Sequence, residues 1–408
     1  AGWSEGKKIF LLRRNYPRLL ALDETDFSLN PFLKEESQGD IQFFSSPESV
    51  IKDSSRNLIY VANLGNDTVT VIDGKTKKPF KTIPVGAGPL GIDFNPKTGK
   101  LYTANRVGNS VTVIDTATYN TKTITVGLIP SYIAVNSETN KIYVSEAGDN
   151  KVAVIDGVKE EVIKYISVGA IPQAILANTP KNRVYVSNSG EDTISVIDGA
   201  KDEVVNVIKT EKTPRRIELA DNKIFVVAEG NNSLIAIDQE TEKIIGKVRL
   251  KAVPFNIAWD KLQNKLLIIH KGRSMVSIVD PQNYEILSEK EFAPFFSYMD
   301  NMYNKFLIDW DEEMVYFTQS TANAVHVVKI EENLSDLSLK LAAIIESNGE
   351  VIWQPGFEPL PKEVILFIQT AMKWVKENAF LVGGTIVAFS ILIGFIVYRK
   401  KHGFESLK

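Results

Sequence analysis

Residues 185–198, YVSNSGEDTISVID, recur along the chain and sharply limit what it can fold into. The stretch returns as YVANLGNDTVTVID at 60–73, YTANRVGNSVTVID at 102–115 and YVSEAGDNKVAVID at 143–156. In each copy the leading tyrosine and the closing aspartate lie thirteen residues apart, and successive copies start 41 or 42 residues apart. A period of that length, filled with short β-branched runs, belongs to a propeller or a stacked array. Weaker copies at 225–238 and 267–280 keep the interval, the copy at 316–329 keeps it without the acid, and 10–23 fits in front, making eight candidate units.

Each strong unit holds four strand-sized runs rich in Val, Ile, Thr and Tyr. Around Tyr102 they are GIDF (91–94), LYTA (101–104), VTVID (111–115) and KTITV (122–126). Gly-Asn or Gly-Asp pairs supply the positive φ that tight hairpins need between the second and third runs. A proline recurs before the first run of each unit, at Pro47, Pro89, Pro130, Pro172, Pro214, Pro254 and Pro294. There it stiffens a turn without removing a ladder bond. Such a unit cannot bury both faces alone, and radial stacking buries them. The expectation is an all-β propeller of four-stranded blades, eight preferred, or seven if the Phe10 hairpin lies outside the ring. The first unit has almost nothing ahead of Ile9 to serve as its first strand, so Val351-Ile352-Trp353 is expected to fill that place and close the ring with both termini.

The YVAN/YVSN…VTVID pattern with GxxP between copies resembles the YVTN family of β-propellers, found in archaeal and bacterial surface-layer and cell-envelope proteins. The resemblance covers residues 45–240 well. It implies the propeller fold and a surface or scaffold role with varied partners. The eighth unit and the Asp309-Trp310-Asp311 insertion depart from it.

After residues 1–354 the pattern changes. PGFEPLP (355–361) is a stiff linker. Residues 362–378 read as helix, with Val364, Ile365, Ile368, Met372 and Val375 forming an apolar stripe. Residues 379–398, opening on Ala379 and closing on Tyr398, give twenty residues without a charge. At about 1.5 Å per residue they span a ~30 Å hydrocarbon core, so a single transmembrane helix through the lipid bilayer is expected. Arg399, Lys400 and Lys401 begin the basic tail 399–408 and predict a cytoplasmic C-terminus with the propeller outside. The chain opens on Ala1, which fits an exported protein whose signal peptide has been removed.

Net charge is −3 with the basic residues dispersed, which argues against nucleic acid as a partner. With no cysteine, thiol chemistry and thiolate metal sites are excluded. The three histidines show no ligand spacing, and no catalytic motif or cofactor fingerprint appears. Residues after the recurring prolines, Glu48, Tyr132, Arg215, Arg216, Phe255 and Asn256 among them, are expected at the channel mouth with Arg106, Glu146, Glu229, His270 and Lys271 of the adjacent loops. Arg215 and Arg216 suit an acidic ligand or partner loop, or a bridge to Glu146, Glu218 or Glu229. His270 replaces the Asn of the strong copies, as a catalytic group or as a hydrogen-bonded structural residue. The loops 146–150 and 189–192 offer oxygens for calcium or ordinary turn chemistry. Sequons at Asn66, Asn231 and Asn333 are candidate glycosylation sites. The function expected is a scaffold or accessory subunit partnered by membrane or envelope proteins; the alternative is a lactonase-like or lyase-like enzyme, or a small-ligand receptor.

Overall fold

The computed structural model describes residues 43–261, 263–271 and 275–291 continuously, and the strands 2–5, 8–12, 19–23, 306–309, 314–319, 324–330, 339–345 and 351–353 besides. The chain divides into two compact units, Ala1–Gln354 and Pro355–Lys408. The linker, the amphipathic segment 362–378 and the expected span 379–398 lie outside the described residues. Among the described residues no helix is long and apolar enough to cross a membrane.

Blade 1 runs Pro47–Asp53, Leu58–Asn63, Thr68–Asp73 and Pro79–Pro84, paired antiparallel in chain order. Five more sheets of the same order open on Pro89, Pro130, Pro172, Pro214 and Pro254. We call the strands a to d from the first to the last. Strands b and c are buried almost throughout, because blades cover both their faces, whereas strand d of blade 4 (Glu203–Lys209) alternates exposed and covered. The repeat aromatics Tyr60, Tyr102, Tyr143, Tyr185 and Phe225 are all fully buried in this inter-blade core. The repeat aspartates cap the c–d turns: Asp115 Oδ1 accepts the amides of Ala117 (3.0 Å) and Thr118 (2.9 Å), and Asp156 and Asp198 do the same. Amide side chains link blades at that end, Asn95 donating to Asn140 at 2.8 Å and Asn136 to Asn182 at 2.9 Å.

The ring has seven blades. Each strand a touches the next around the axis, and Phe306–Asp309 of blade 7 touches Pro47–Asp53 of blade 1. Leu307, Val325 and Val327 of blade 7 pack with Val50, Ile59, Val61 and Ile72 of blade 1, closing the circle with apolar side chains. Two expectations are corrected here. The preferred count of eight fails because Gly2–Glu5, Lys8–Leu12 and Leu19–Asp23 form their own three-stranded sheet. Closure by both termini fails because blade 1 already has its own strand a. Val351–Trp353 instead pairs with Leu339–Ile345 as a fifth strand of blade 7.

Removing residues 1–23 should therefore leave the ring intact, with the melting temperature within about 4 °C of the full chain, a shift equivalent to ~1 kcal/mol or less. Loss of cooperative unfolding in that variant would restore the eighth blade.

Candidate functional site

The mouth face is assembled from two loops per blade, d–a and b–c. In blade after blade the residue following strand b donates its amide to the residue preceding the proline. Arg106 donates to Gly88 (2.8 Å), Ala147 to Ile129 (3.0 Å), Ser189 to Ile171 (3.1 Å) and Glu229 to Thr213 (3.0 Å). A second stitch joins neighbouring blades through the last residue of the b–c turn. Asp67 accepts the Gly88 amide (2.7 Å), Asn109 that of Ile129 (3.0 Å), Asn150 that of Ile171 (2.9 Å) and Asp192 that of Thr213 (2.8 Å). Glu146 Oε1, Asp149, Asn150 and Asp192 of loops 146–150 and 189–192 are thus engaged in loop and inter-blade bonds.

These bonds fix a backbone that its residues resist. Ile129 has φ 53° and Ile171 φ 52°, in the left-handed region where Cβ crowds a carbonyl, and Gly88 takes the same place in blade 2. Both isoleucines are also exposed, at 40% and 48%, beside Leu128 at 52% and Val107 at 70%. The four form a row of apolar tips along blades 2 to 4 of this face. A conformation costing ~1–2 kcal/mol persists only where its surroundings over-determine it, and such places gather at functional sites.

Past the proline each strand a of blades 1 to 6 carries a register shift, as between Pro47 and Ser49, Pro214 and Arg216, and Pro254 and Asn256. The extra residue re-aims its neighbours. Arg216, only 7% exposed, brings its guanidinium 4.2 Å from the Tyr132 ring of blade 3 and 5.9 Å from the Phe255 ring of blade 6. Phe255 also lies 5.4 Å from the Arg215 guanidinium and 5.9 Å from the Lys271 ammonium. Arg215 pairs with Glu229 at 3.1 Å, which is one of the three bridges open to it in the sequence. Glu48 of blade 1 joins the group: burial pushes its carboxyl up to about 7, against the pull of Arg216 and Arg106. Arg215, Arg216, Glu229 and Phe255 therefore belong to one cluster, and Glu48, expected beside them at the mouth, belongs with them.

Glu146 and His270 end strand b of blades 3 and 6. His270 is buried, with Nδ1 2.9 Å from the Ala252 carbonyl and Nε2 2.6 Å from Ser277 Oγ. A carbonyl only accepts, so Nδ1 carries a proton. Ser277 Oγ in turn lies 3.1 Å from Glu289 Oε1. This is the arrangement of the repeat asparagine, whose amide in blade 2 donates to Thr112 at 2.9 Å. Glu146 is fully buried, and its Oε1 accepts the Gly127 amide at 2.7 Å. Of the sequons, Asn66 accepts a bond from its own Thr68 hydroxyl (2.9 Å), Asn231 bonds Glu211, and Asn333 lies outside the described residues.

The sequence profile of the family described as "Lactonase, 7-bladed beta-propeller" matches residues 34–254. The chain belongs to this lactonase-type, seven-bladed propeller family. The YVTN-type resemblance rests on the same repeat, and the chain is similar to the YncE proteins of Salmonella typhi and Salmonella typhimurium, each 35% identical over 74 residues. That match spans 18% of this chain and 21% of theirs, about a fifth of the relatives' length. Among solved structures, hydrazine synthase of Kuenenia stuttgartiensis is similar at a TM-score of 0.60 and 17% identity, over 74% of this chain and 100% of that one. Virginiamycin B lyase of Staphylococcus aureus follows at 0.58 and 14%, over 68% and 92%. At these identities the likeness shows the fold alone.

In this family member His270→Ala should lower stability by about 2 kcal/mol, since it strips partners from a buried carbonyl and hydroxyl. His270→Asn, the residue of the strong repeats, should restore more than half of the loss in a urea titration. An alanine variant as stable as the parent would return His270 to the list of candidate catalytic groups.

Proposed function

We propose that this chain is the membrane-anchored, extracytoplasmic binding subunit of a cell-envelope or membrane complex, meeting a partner protein with the mouth face of blades 2 to 4. The observation that carries this reading is the row of apolar tips Val107, Leu128, Ile129 and Ile171. Apolar side chains gathered on one water-facing rim are typical of an interaction site, and here two of them sit in a strained backbone locked by four hydrogen bonds. Display at a membrane is supported by the uncharged residues 379–398 and the basic residues that follow them.

A second reading is an enzyme of lactonase or lyase type working at the mouth. It is favoured by one group, the Glu48 carboxyl, which burial sets near neutrality beside Arg216. A general acid or base is most effective with a pKa near the working pH. Lactone turnover abolished by Glu48→Gln in a stably folded protein would establish it.

The binding reading is tested by placing a photo-reactive residue at Leu128, at Val158 on the opposite face, or at Val207 on the outer strand of blade 4, all exposed. Irradiation in native membranes should yield a protein adduct from position 128 at least ten times stronger than from 158 or 207. Adducts confined to 158 or 207 would remove the mouth face from the proposal, and none at any position would remove the partner.

A further inference from the structure

The residue that ends strand b follows one rule in blades 1, 2 and 4, and blade 3 departs from it. Asn63, Asn105 and Asn188 each donate an amide to a hydroxyl seven residues on, to Thr70 at 2.8 Å, Thr112 at 2.9 Å and Ser195 at 2.9 Å. Blade 3 has Glu146 at that place, and the residue seven on is Ala153. Amide donor and hydroxyl partner have gone together.

What replaces them is a second carboxyl. Glu146 Oε1 accepts the Gly127 amide at 2.7 Å, while Oε2 is buried and receives no hydrogen bond from any described donor. Asp149, three residues on, accepts the Leu128 amide through Oδ2 at 2.7 Å. A Cβ placed on Gly127 would stand 2.5 Å from Glu146 Oε2 and 2.4 Å from Asp149 Oδ2, so the two oxygens converge on the one space that Gly127 leaves open. A like charge beside a buried carboxyl disfavours its ionised form. We propose that the buried Glu146 carboxyl, set against the Asp149 charge across Gly127, is a pH-operated latch on the loop carrying Leu128 and Ile129.

The surroundings agree. Burial, with the Asp149 charge adding to it, raises the Glu146 carboxyl to about 7 despite the Gly127 amide and Lys151. The other ionisable groups facing the pair are Lys151 on the same hairpin and Tyr165 on strand d, whose ring lies 5.9 Å from the Lys151 ammonium. Tyr132 on strand a is occupied by Arg216. The loop itself, Gly127 to Ile129, has no ionisable side chain. With the proton in place, the Glu146 carboxyl is neutral beside Asp149 and both loop amides stay bonded. Without it, two carboxylates repel across Gly127 and the strain falls on those amides. The folded form binds this proton up to about 7, the unfolded form only up to its ordinary 4.5. The stabilisation is therefore complete below 4.5, is lost as pH rises through 7, and is flat above that.

Amide exchange and thermal unfolding of the full chain in detergent, at pH 5.5 and pH 8, test the latch without involving any partner. Protection of the 126–129 amides, corrected for the intrinsic exchange rate, should fall roughly thirtyfold at pH 8, because the linkage acts over the ~1.5 units from pH 5.5 to about 7 and is flat beyond. In Glu146→Gln, which mimics the protonated form, the change should stay within twofold. Glu48 titrates in the same range and adds to the thermal slope, but in Glu48→Gln the loop response should persist. Asp149→Asn should move the response to lower pH by removing the repulsion. An unchanged loop in the parent protein, or an equal response in Glu146→Gln, would overturn the proposal.

Discussion

Every blade of this ring depends on contact with two neighbours, because both faces of its sheet are apolar. Each buried Val, Ile or Leu in those faces contributes about 1.5–3 kcal/mol, an amount realised only when the next blade covers it. The circle must therefore close, and it closes where Val325 and Val327 meet Val50 and Ile59. Closure holds the a strands around one axis and sets the d–a loops that lead into them at a fixed radius. The mouth is a consequence of that packing.

The loops then add polar constraints of their own. The amide stitches within and between blades leave the d–a loops little freedom, so a β-branched residue can be held where glycine would be natural. Isoleucine at 129 and 171 weakens the fold locally and places apolar surface in water, two costs in one position. Each isoleucine packs its Cγ1 over a glycine of the adjoining b–c turn, Gly148 or Gly190, and leaves the rest of the side chain in water. The same rigidity brings Arg216 of blade 5 to Tyr132 of blade 3 across the axis, and lets a single carboxyl at 146 bear on a loop that presents Leu128.

Much of the fold could be read from the repeat. Its period gives the blade, its β-branched runs give four strands, and its prolines and Gly-Asn pairs mark the turns. Closure could not be read, because the thirteen-residue spacing at 10–23 matches the repeat while its strands pair with Gly2–Glu5 in a sheet of their own. Spacing records hairpin geometry and not the neighbour that covers it. For the same reason the Arg215–Glu229 pair, close in the fold and fourteen residues apart in sequence, was one of three bridges open in sequence. The Glu48–Arg216 relation, spanning four blades, left no local signal. The Glu146–Asp149 pair did leave one: loss of the asparagine at 146 coincides with loss of the hydroxyl at 153, visible once the copies are aligned on their tyrosines.

The central claim is that the propeller is a binding subunit held at a membrane. Its most direct test is the mass of the intact particle extracted from native membranes in mild detergent. A binding subunit predicts a particle well above the 45.4 kDa of the chain, containing at least one other integral protein in fixed ratio. A lone chain of 45.4 kDa, extracted without any companion, would contradict the account and turn attention to Glu48 and a small ligand at the mouth.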